Sequence, residues 1–266
     1  MRISAVVLSF NSARHLDRCL TALIAALGDG AGAGEIFVVE NGSTDGSADI
    51  LRRFERMHPG FVRGIYNDEN RGTTASRNQA LRRAAGRYVL VLDSDVAVAP
   101  GTLEPLLARL DADPTIGLVA PRLTYPDGRP QLSTDTFPTV ARKLQRFVAL
   151  RRIEVATPVP AGPVEVDYAV SAFWLLRRAV VDEVGLLDEA IFYSPEDVDY
   201  CLRIWAAGHR IVYDPTVSAV HDPQERSRRV ERSGFLFRHV GGLLYLFRKH
   251  RYMFSRRGLY RRRGRA

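Results

Sequence analysis

Over the first 120 positions, apolar residues fall into short continuous runs that alternate with stretches of helical periodicity. Such runs are typical of strands buried on both faces of a sheet, and the stretches between them are typical of amphipathic helices. Strands are predicted at residues 3–10, 36–39, 61–66 and 88–92, and helices at 16–27, 47–57 and 73–85. This order predicts a doubly wound α/β half with mostly parallel strands.

The pattern changes after residue 120. A helix near residues 102–110 and a strand at 116–120 precede a proline-punctuated segment, residues 121–163, which contains a basic helical stretch at 140–153. Segments of this length are usually lids or binding segments, and we expect this one to select the acceptor. Further on we predict a long strand at 165–176, a helix that starts with Ser194 and Pro195 and runs to 207, and a pair of short strands around 209–220.

Charge is distributed unevenly along the chain. The net charge is +8, yet residues 226–266, here called the basic tail, hold 14 basic side chains and one acidic one, Glu231. The remainder is therefore mildly acidic, which suggests a body that performs chemistry and a tail that meets an anionic surface. A basic amphipathic helix suits an anionic bilayer, but residues 235–247 also fit a helix that docks on the domain. From Arg248 onward the composition favours membrane contact.

Sequence features also bear on the cellular compartment. The start of the chain reads as a strand and lacks the pattern of a signal peptide, and no apolar run approaches the ~20 residues needed to cross a bilayer. Cys19 and Cys201 are too few for a disulfide framework and are predicted to be small buried hydrophobes. We therefore expect a cytoplasmic protein, peripheral at the inner face of the cytoplasmic membrane.

Four polar motifs follow predicted strands of the first half, at residues 9–11, 40–43, 67–72 and 93–95. Because ligands of open α/β sheets bind beyond the carboxyl ends of the strands, we expect these motifs to line one crevice. Asp93 and Asp95 are separated by one residue, and such a pair can hold a divalent cation that also accepts diphosphate oxygens. A solvated turn that caps the next helix is the alternative interpretation of the pair.

Two further features lie in the second half. Ser194, as a helix N-cap, with Pro195 and the acids Glu196 and Asp197 after it, fits a capping arrangement that needs no catalysis. A carboxylate at a helix start that faces a cleft is equally a candidate general base. His221 follows a predicted strand, and a lone histidine is more often structural than a ligand.

Taken together, the motifs resemble those of family 2 glycosyltransferases of the GT-A fold. The resemblance spans residues 3–225 and rests on 6–11, 38–46, 70–72, 93–95, 196–203 and the strand that ends at His221. The run 125–128, Tyr-Pro-Asp-Gly, is similar to the bacterial rhamnosyltransferase-like branch. The resemblance implies a Rossmann-like mixed α/β sheet, mostly parallel, with helices on both faces. It also implies a nucleotide-sugar half (1–120), an acceptor-binding and catalytic half (121–225), and a helical extension (226–266).

Specific roles follow from this resemblance. It implies donor-binding roles for Ser9, Asn11, Glu40, Asn41, Arg71, Asp93 and Ser94. Asp95 and His221 would hold Mg²⁺ or Mn²⁺. Asp197 looks like the general base, with Glu196 and Asp199 orienting it or the acceptor. Trp174 either stacks on the acceptor sugar or belongs to the core.

The implied activity is an inverting transfer of a sugar from a nucleotide diphosphate, such as dTDP-rhamnose or a UDP-sugar. The acceptor would be a hydroxyl of a glycan or lipid-linked molecule in cell-surface polysaccharide synthesis. The chain departs from the family pattern at Glu40, where aspartate is usual, at Thr73 and Thr74, and at 222–224, Asp-Pro-Gln, after His221. A non-catalytic sugar-nucleotide-binding protein is one alternative. A nucleic-acid-binding protein is another, but it leaves the acidic motifs without a role, so no nucleic-acid partner is expected.

Overall fold

The computed structural model describes residues 2–28, 34–223 and 233–261. The strands are β1 (Ile3–Ser9), β2 (Gly34–Asn41), β3 (Val62–Asn67), β4 (Tyr88–Asp93), β5 (Val96–Ala97), β6 (Ile116–Thr124), β7 (Thr134–Asp135), β8 (Val164–Glu165), β9 (Tyr168–Ala169), β10 (Phe173–Arg177) and β11 (Arg210–His221). The helices are α1 (Ala13–Leu27), α2 (Ser47–Met57), α3 (Thr73–Leu81), α4 (Leu103–Ala112), α5 (Val140–Ala156), α6 (Arg178–Val184), α7 (Glu196–Ala206), α8 (Ser233–His250) and α9 (Arg257–Arg261).

Nine of the described strands form one sheet in the order β3-β2-β1-β4-β10-β6-β11-β5, with β8 paired to the side of β11. The first four strands of this order are mutually parallel, and β6 is parallel to β11. Strand β10 runs antiparallel between β4 and β6. The carboxyl ends of β1, β2, β3 and β4 consequently meet at one edge, where the polar motifs lie.

Helices cover both faces because the inner strands contain continuous apolar runs. In β4, Leu90 and Leu92 pack against α1, α2 and α4, while Val89 and Val91 face the cluster formed by α3, α6, α7 and α8. Side chains of successive residues in a strand point to opposite faces, so a continuous apolar run serves both layers. The structure confirms the predicted mixed, mostly parallel sheet with helices on both faces.

The prediction of one long strand at residues 165–176 is wrong, because three separate strands lie in this range. Strand β8 pairs with β11, β9 pairs with β7 in a separate two-stranded sheet, and only β10 enters the main sheet. The pair of short strands predicted around 209–220 is also wrong, because β11 is one strand with a register shift between Asp214 and Ser218. Pro215 lies in that interval and cannot donate a ladder hydrogen bond, which explains the irregularity.

The start of α7 differs from the predicted cap. The helix begins at Glu196, Pro195 occupies the N-cap position, and no side chain caps the helix. Ser194 therefore precedes the helix instead of capping it. Helix α8 approaches this turn closely at Gly242: a Cβ on that residue would lie only 2.4 Å from the carbonyl oxygen of Ser194.

The described part of the basic tail packs on the domain. Leu246 and Phe247 of α8, and Tyr252 and Leu259 beyond it, are buried in the cluster that contains α7. Docking is therefore the correct interpretation of the described part of α8. The expectation of membrane contact from Arg248 onward stays a prediction: Tyr252 and Leu259 are buried, whereas Arg248 and Arg251 are exposed. Residues 226–232 and 262–266 lie outside the described part of the chain.

Both cysteines are buried, as predicted, and burial raises the pKa of each thiol well above its ordinary value. Among the helices that the structure describes, none has the length and apolar content to cross a membrane.

Two leucines of α8 test whether the helix docks in solution. Leu246 is 0% exposed and Leu244 is 56% exposed. We expect Leu246→Ala to lower the free energy of unfolding by about 2–4 kcal/mol, and Leu244→Ala to change it by less than ~0.5 kcal/mol. Urea titrations of both variants measure the difference. Equal effects would contradict docking of α8 on the domain.

Candidate active site

Three potential metal ligands converge at the crevice edge of the sheet. Asp93 ends β4, Asp95 follows in the next turn, and His221 ends β11. Strand β5 brings them together because it pairs with the end of β11, and the backbone N–H of Asp222 donates to the carbonyl of Asp95. One ligand atom from each residue lies within 4.8 Å of the others, and His221 Nε2 is 3.4 Å from Asp95 Oδ1. Two carboxylates and an imidazole form a suitable donor set for Mg²⁺ or Mn²⁺.

Gln131 fixes the orientation of His221. The side-chain amide nitrogen of Gln131 donates to the backbone carbonyl of His221 at 2.7 Å. The side-chain oxygen Oε1 of Gln131 lies 2.7 Å from His221 Nδ1 and accepts a hydrogen bond from it. His221 Nδ1 therefore carries a proton, and Nε2 is the atom directed at Asp95. The pKa of His221 is raised, because the hydrogen bond and charge of Asp95 and the charges of Asp93 and Asp222 outweigh burial. A bound cation would take the place of the proton on Nε2.

Arg77 of α3 links this cluster to the start of α7. The side chain is 1% exposed; Nη2 donates to Asp93, and Nη1 lies 3.4 Å from Glu196 Oε1 and 2.8 Å from Ser171 Oγ. One guanidinium thus neutralises acids from both halves of the domain. Sequence reasoning missed Arg77, because in one sequence it resembles any other arginine of a predicted helix.

The two acids at the start of α7 differ in environment. Glu196 is buried and accepts a hydrogen bond from Ser171 Oγ at 2.8 Å. Burial and the neighbouring charge of Asp197, opposed by Arg77, raise the pKa of Glu196 to about 8. Asp197 is partly exposed, and its Oδ1 accepts from the backbone N–H of Val198 at 2.8 Å. Of the two, Asp197 offers the carboxylate that solvent can reach.

Asp93 is half-buried between Arg77 and Asp95. Burial raises the pKa of Asp93, Arg77 opposes the rise, and the charge of Asp95 adds to it. Two carboxylates this close repel each other in the absence of a cation, so the arrangement favours binding of a positive ion.

The predicted donor side of the crevice is built on the turn after β2. Asn11, with φ of 47°, accepts from the backbone N–H of Thr44 at 2.8 Å, and the buried Glu40 accepts from that of Ser43 at 2.9 Å. Ser9 is buried, and its Oγ has no hydrogen-bond partner among the described residues. Arg71 is exposed at the rim. The structure therefore brings Ser9, Asn11 and Glu40 together at the ends of β1 and β2.

Asn41 and Ser94, both predicted to bind the donor, make hydrogen bonds that hold neighbouring loops in place. The Oδ1 atom of buried Asn41 accepts from Asn67 Nδ2, the Arg71 backbone N–H and Ser76 Oγ, and its amide nitrogen donates to Asn70. These bonds occupy its amide, so Asn41 holds the loop after β3 in place. Ser94 is also buried, and its hydroxyl donates to Ser12 Oγ at 2.7 Å. It fixes the turn between Asp93 and Asp95 to the start of α1.

The predicted acceptor contacts Trp174 and Asp199 need correction. Trp174 is 0% exposed, stacks on Tyr200 and donates from Nε1 to the carbonyl of Ala169, so its ring belongs to the core. Asp199 is buried and accepts from Arg203, Lys249 and His250. Burial opposes but does not outweigh the hydrogen bonds of His250 and Lys249, which lower the pKa of Asp199. It anchors α8 on α7 and is not accessible to an acceptor.

Removal of the linking guanidinium tests the role of Arg77. We expect Arg77→Met to destabilise the fold by about 3–5 kcal/mol, because Asp93 loses its cation and buried Glu196 and Ser171 lose a hydrogen-bond donor. The matched control is Arg82→Met, which breaks an exposed ion pair with Glu189 and should cost less than ~1 kcal/mol. Denaturant titrations compare the two variants, and equal losses would contradict the assigned role.

The raised pKa of Glu196 predicts a pH-dependent stability. Between an ordinary value of 4.5 and about 8, folded Glu196 keeps its proton while the unfolded chain loses it. The stability from this group therefore falls as the pH rises through that window. Glu196→Gln keeps a neutral side chain at every pH. Between pH 6 and pH 9 the Tm of the unmodified protein should therefore drop further than the Tm of the variant, by about 2 °C or more. Glu104→Gln, at an exposed position of α4, is the control; parallel Tm curves for Glu196→Gln and the unmodified chain would refute the raised pKa.

The chain is similar to a known protein family and to individual proteins. The model of the family "Glycosyl transferase family 2" matches residues 4–185. The pre-mycofactocin glycosyltransferase of Mycobacterium tuberculosis is 34% identical over 164 residues, which are 62% of this chain and 33% of that protein. The chain thus spans about a third of the length of that relative. The N-acetylglucosaminyl-diphospho-decaprenol L-rhamnosyltransferase of M. tuberculosis is 25% identical over 93% of this chain and 85% of its own length.

Solved structures share the fold at low sequence identity. The mannosyltransferase PcManGT from Pyrobaculum calidifontis, solved with GDP-Man and Mn²⁺, has a TM-score of 0.63 and 21% identity, covering 93% of this chain and 63% of its own. GalNAc-T7, solved with UDP, GalNAc and Mn²⁺, has a TM-score of 0.67 and 17% identity, covering 93% and 48%. These neighbours confirm the predicted GT-A fold. With the family match over most of its length, the chain belongs to glycosyltransferase family 2.

Proposed function

We propose that this protein transfers a sugar from a nucleoside diphosphate to an acceptor hydroxyl with inversion at the anomeric carbon. One observation carries the proposal: Arg77 joins the cluster of Asp93, Asp95 and His221 to the acids that begin α7. This link supports a leaving-group site and a proton-accepting site on the same crevice, as a single displacement requires.

Each described group has a part in this reaction. Asp197 takes the proton of the acceptor hydroxyl while that oxygen bonds to the anomeric carbon and the bond from this carbon to the diphosphate oxygen breaks. Asp95, His221 and Asp93 would hold a divalent cation, which would supply charge stabilisation for the departing nucleoside diphosphate. Glu196, held by Arg77 and Ser171, supports the start of α7 so that Asp197 stays in position.

The donor is proposed to lie along the ends of β1 and β2. Ser9, Asn11 and Glu40 would contact the base and ribose, and Arg71 at the rim would approach the base or diphosphate. dTDP-rhamnose and UDP-sugars are the donors that we favour. The M. tuberculosis relative that matches over 85% of its own length is named an L-rhamnosyltransferase, which supports dTDP-rhamnose.

The acceptor is proposed to be a lipid-linked glycan of cell-surface polysaccharide synthesis. The name of the same relative includes a diphospho-decaprenol acceptor. The arginines of the basic tail would keep the enzyme at an anionic membrane surface, at the inner face of the cytoplasmic membrane. A non-catalytic sugar-nucleotide-binding protein would leave the partly exposed Asp197 without a role, and a nucleic-acid-binding protein would also leave the metal cluster without one.

Asp197→Asn separates catalysis from donor binding. We expect transfer to fall about 10²–10⁴-fold, since the amide cannot accept the proton. A thermal-shift panel of sugar nucleotides with and without Mn²⁺ identifies the donor, because a ligand of the native state raises its Tm. The variant should retain that Tm shift, whereas Asp95→Ala should lose its Mn²⁺-dependent part.

Asp182→Asn, at an exposed position of α6, is the matched control and should leave both readouts unchanged. Normal transfer by Asp197→Asn would show that the base is another group. Absence of a Tm shift with every sugar nucleotide would contradict the proposed function as a whole.

A further inference from the structure

Side chains of the described residues hold helix α5 on the domain along one of its sides. Arg142 and Arg146 both pair with the buried carboxylate of Asp135, and Thr139 caps the helix by accepting from the backbone N–H of Arg142. Near the other end, Glu154 accepts from the hydroxyl of Tyr125. These contacts fix the position of α5, yet the mechanism above does not use the helix.

The opposite side of α5 carries an apolar stripe that faces solvent. Val140, Leu144, Val148 and Val155 are 41%, 64%, 77% and 88% exposed. The first three are spaced by four residues, so they form one line along the helix, and Val155 follows the irregular turn at Ala149. Large apolar side chains in a continuous exposed row indicate a surface that an apolar partner covers. We call these four residues the α5 stripe.

Lys143 lies beside this stripe on α5. It is one residue from Leu144 and one turn from Val140, and its side chain is half-buried. Among the described residues, its ammonium has no hydrogen bond and no ion pair. It nevertheless lies within electrostatic range of Asp197 and Glu196, and His239 of α8 lies within range of both Lys143 and Asp197. Lys143 is therefore a half-buried cation that has no direct ion pair with any described residue and that feels the charge of the proposed base.

We propose that the α5 stripe and Lys143 together bind a lipid phosphate, with the anionic headgroup at Lys143 and the hydrocarbon chain along the stripe. This inference rests on the proposed function and specifies the acceptor: a sugar joined through phosphate or diphosphate to a long hydrocarbon.

The chemistry of the two neighbouring features selects this class of molecule. A neutral soluble glycan would leave the half-buried ammonium of Lys143 without a direct ion pair among the described residues, which is unfavourable. A soluble anionic sugar would leave the stripe in water. A lipid-linked phosphate satisfies both, because its anion and its apolar chain are adjacent. Its sugar hydroxyl then reaches Asp197 from the side of α5.

Farnesyl diphosphate, inorganic diphosphate and farnesol are suitable probes, used on the full-length protein with EDTA so that the metal cluster does not contribute. We expect farnesyl diphosphate to bind at least about tenfold more tightly than either of the others by calorimetry. Lys143→Gln should weaken it about tenfold or more, as expected for loss of one charged contact. The double change Leu144→Ser/Val148→Ser should weaken farnesyl diphosphate and leave inorganic diphosphate unchanged.

Matched controls are Arg152→Gln, an exposed cation of the same helix, and Val164→Ser, an exposed apolar residue of β8; neither should alter binding by more than about twofold. Equal affinity for farnesyl and inorganic diphosphate would overturn the proposal in favour of a plain phosphate site.

Vesicles of phosphatidylcholine with phosphatidylglycerol provide a second arm. If the stripe variant loses vesicle binding but keeps its affinity for farnesyl diphosphate, the stripe contacts the bilayer and the proposal fails. The Mn²⁺-dependent Tm shift with sugar nucleotides should persist in every variant. That shift separates failure of this inference from failure of the proposed function, and it shows that each variant is folded.

Discussion

The site depends on the pairing of the buried Arg77 guanidinium with two acids. The guanidinium lies between the end of β4 and the start of α7, and it pairs with one acid from each. Burial of one cation with two carboxylates would leave a net negative charge in a region of low dielectric, which is costly. The raised pKa of Glu196 resolves this, because a protonated Glu196 leaves Arg77 and Asp93 as a neutral pair. The same arrangement leaves Asp197, the next residue, partly exposed.

The loop before α7 is held from two further directions. The backbone N–H of Thr73 donates to the carbonyl of Phe192 at 2.6 Å, and Gly72, with φ of 82°, leaves no room for a Cβ because one would lie 2.3 Å from that oxygen. On the other side α8 approaches the same loop, and Lys249 and His250 bind Asp199 of α7. The docked part of the basic tail thus supports the helix that carries the proposed base. A segment that composition associates with a surface is, over its described part, also structural.

Much of this architecture is predictable from the sequence, for a physical reason. Continuous apolar runs such as residues 88–92 are typical of strands covered on two sides, and the acids that follow such a strand are expected at the sheet edge. Asp93 and Asp95 were found in this way. His221 needed the family resemblance, because its partners are brought to it by the pairing of β5 with β11, which local pattern does not reveal.

The remaining predictions were wrong or incomplete because they had no information on which distant residues meet. A single sequence gives residue type and local periodicity, but it does not show that Arg77 meets Glu196 or that Gln131 meets His221. Burial of polar groups is equally hidden: Asp199 and Asn41 looked like ligands because of their types and positions, yet other side chains satisfy them. Local pattern equally does not show that β11 pairs with β6 on both sides of Pro215 and is therefore one strand.

The central claim is that Asp93, Asp95 and His221 form one divalent-cation site at the crevice. Anomalous diffraction at the manganese edge, from crystals grown with Mn²⁺ and the nucleotide identified by the thermal-shift panel, tests it most directly. We expect one strong peak about 2.0–2.3 Å from His221 Nε2 and a carboxylate oxygen of Asp95, with diphosphate oxygens on its open side. A manganese peak elsewhere, with these three side chains bound only to protein or water, would contradict the account.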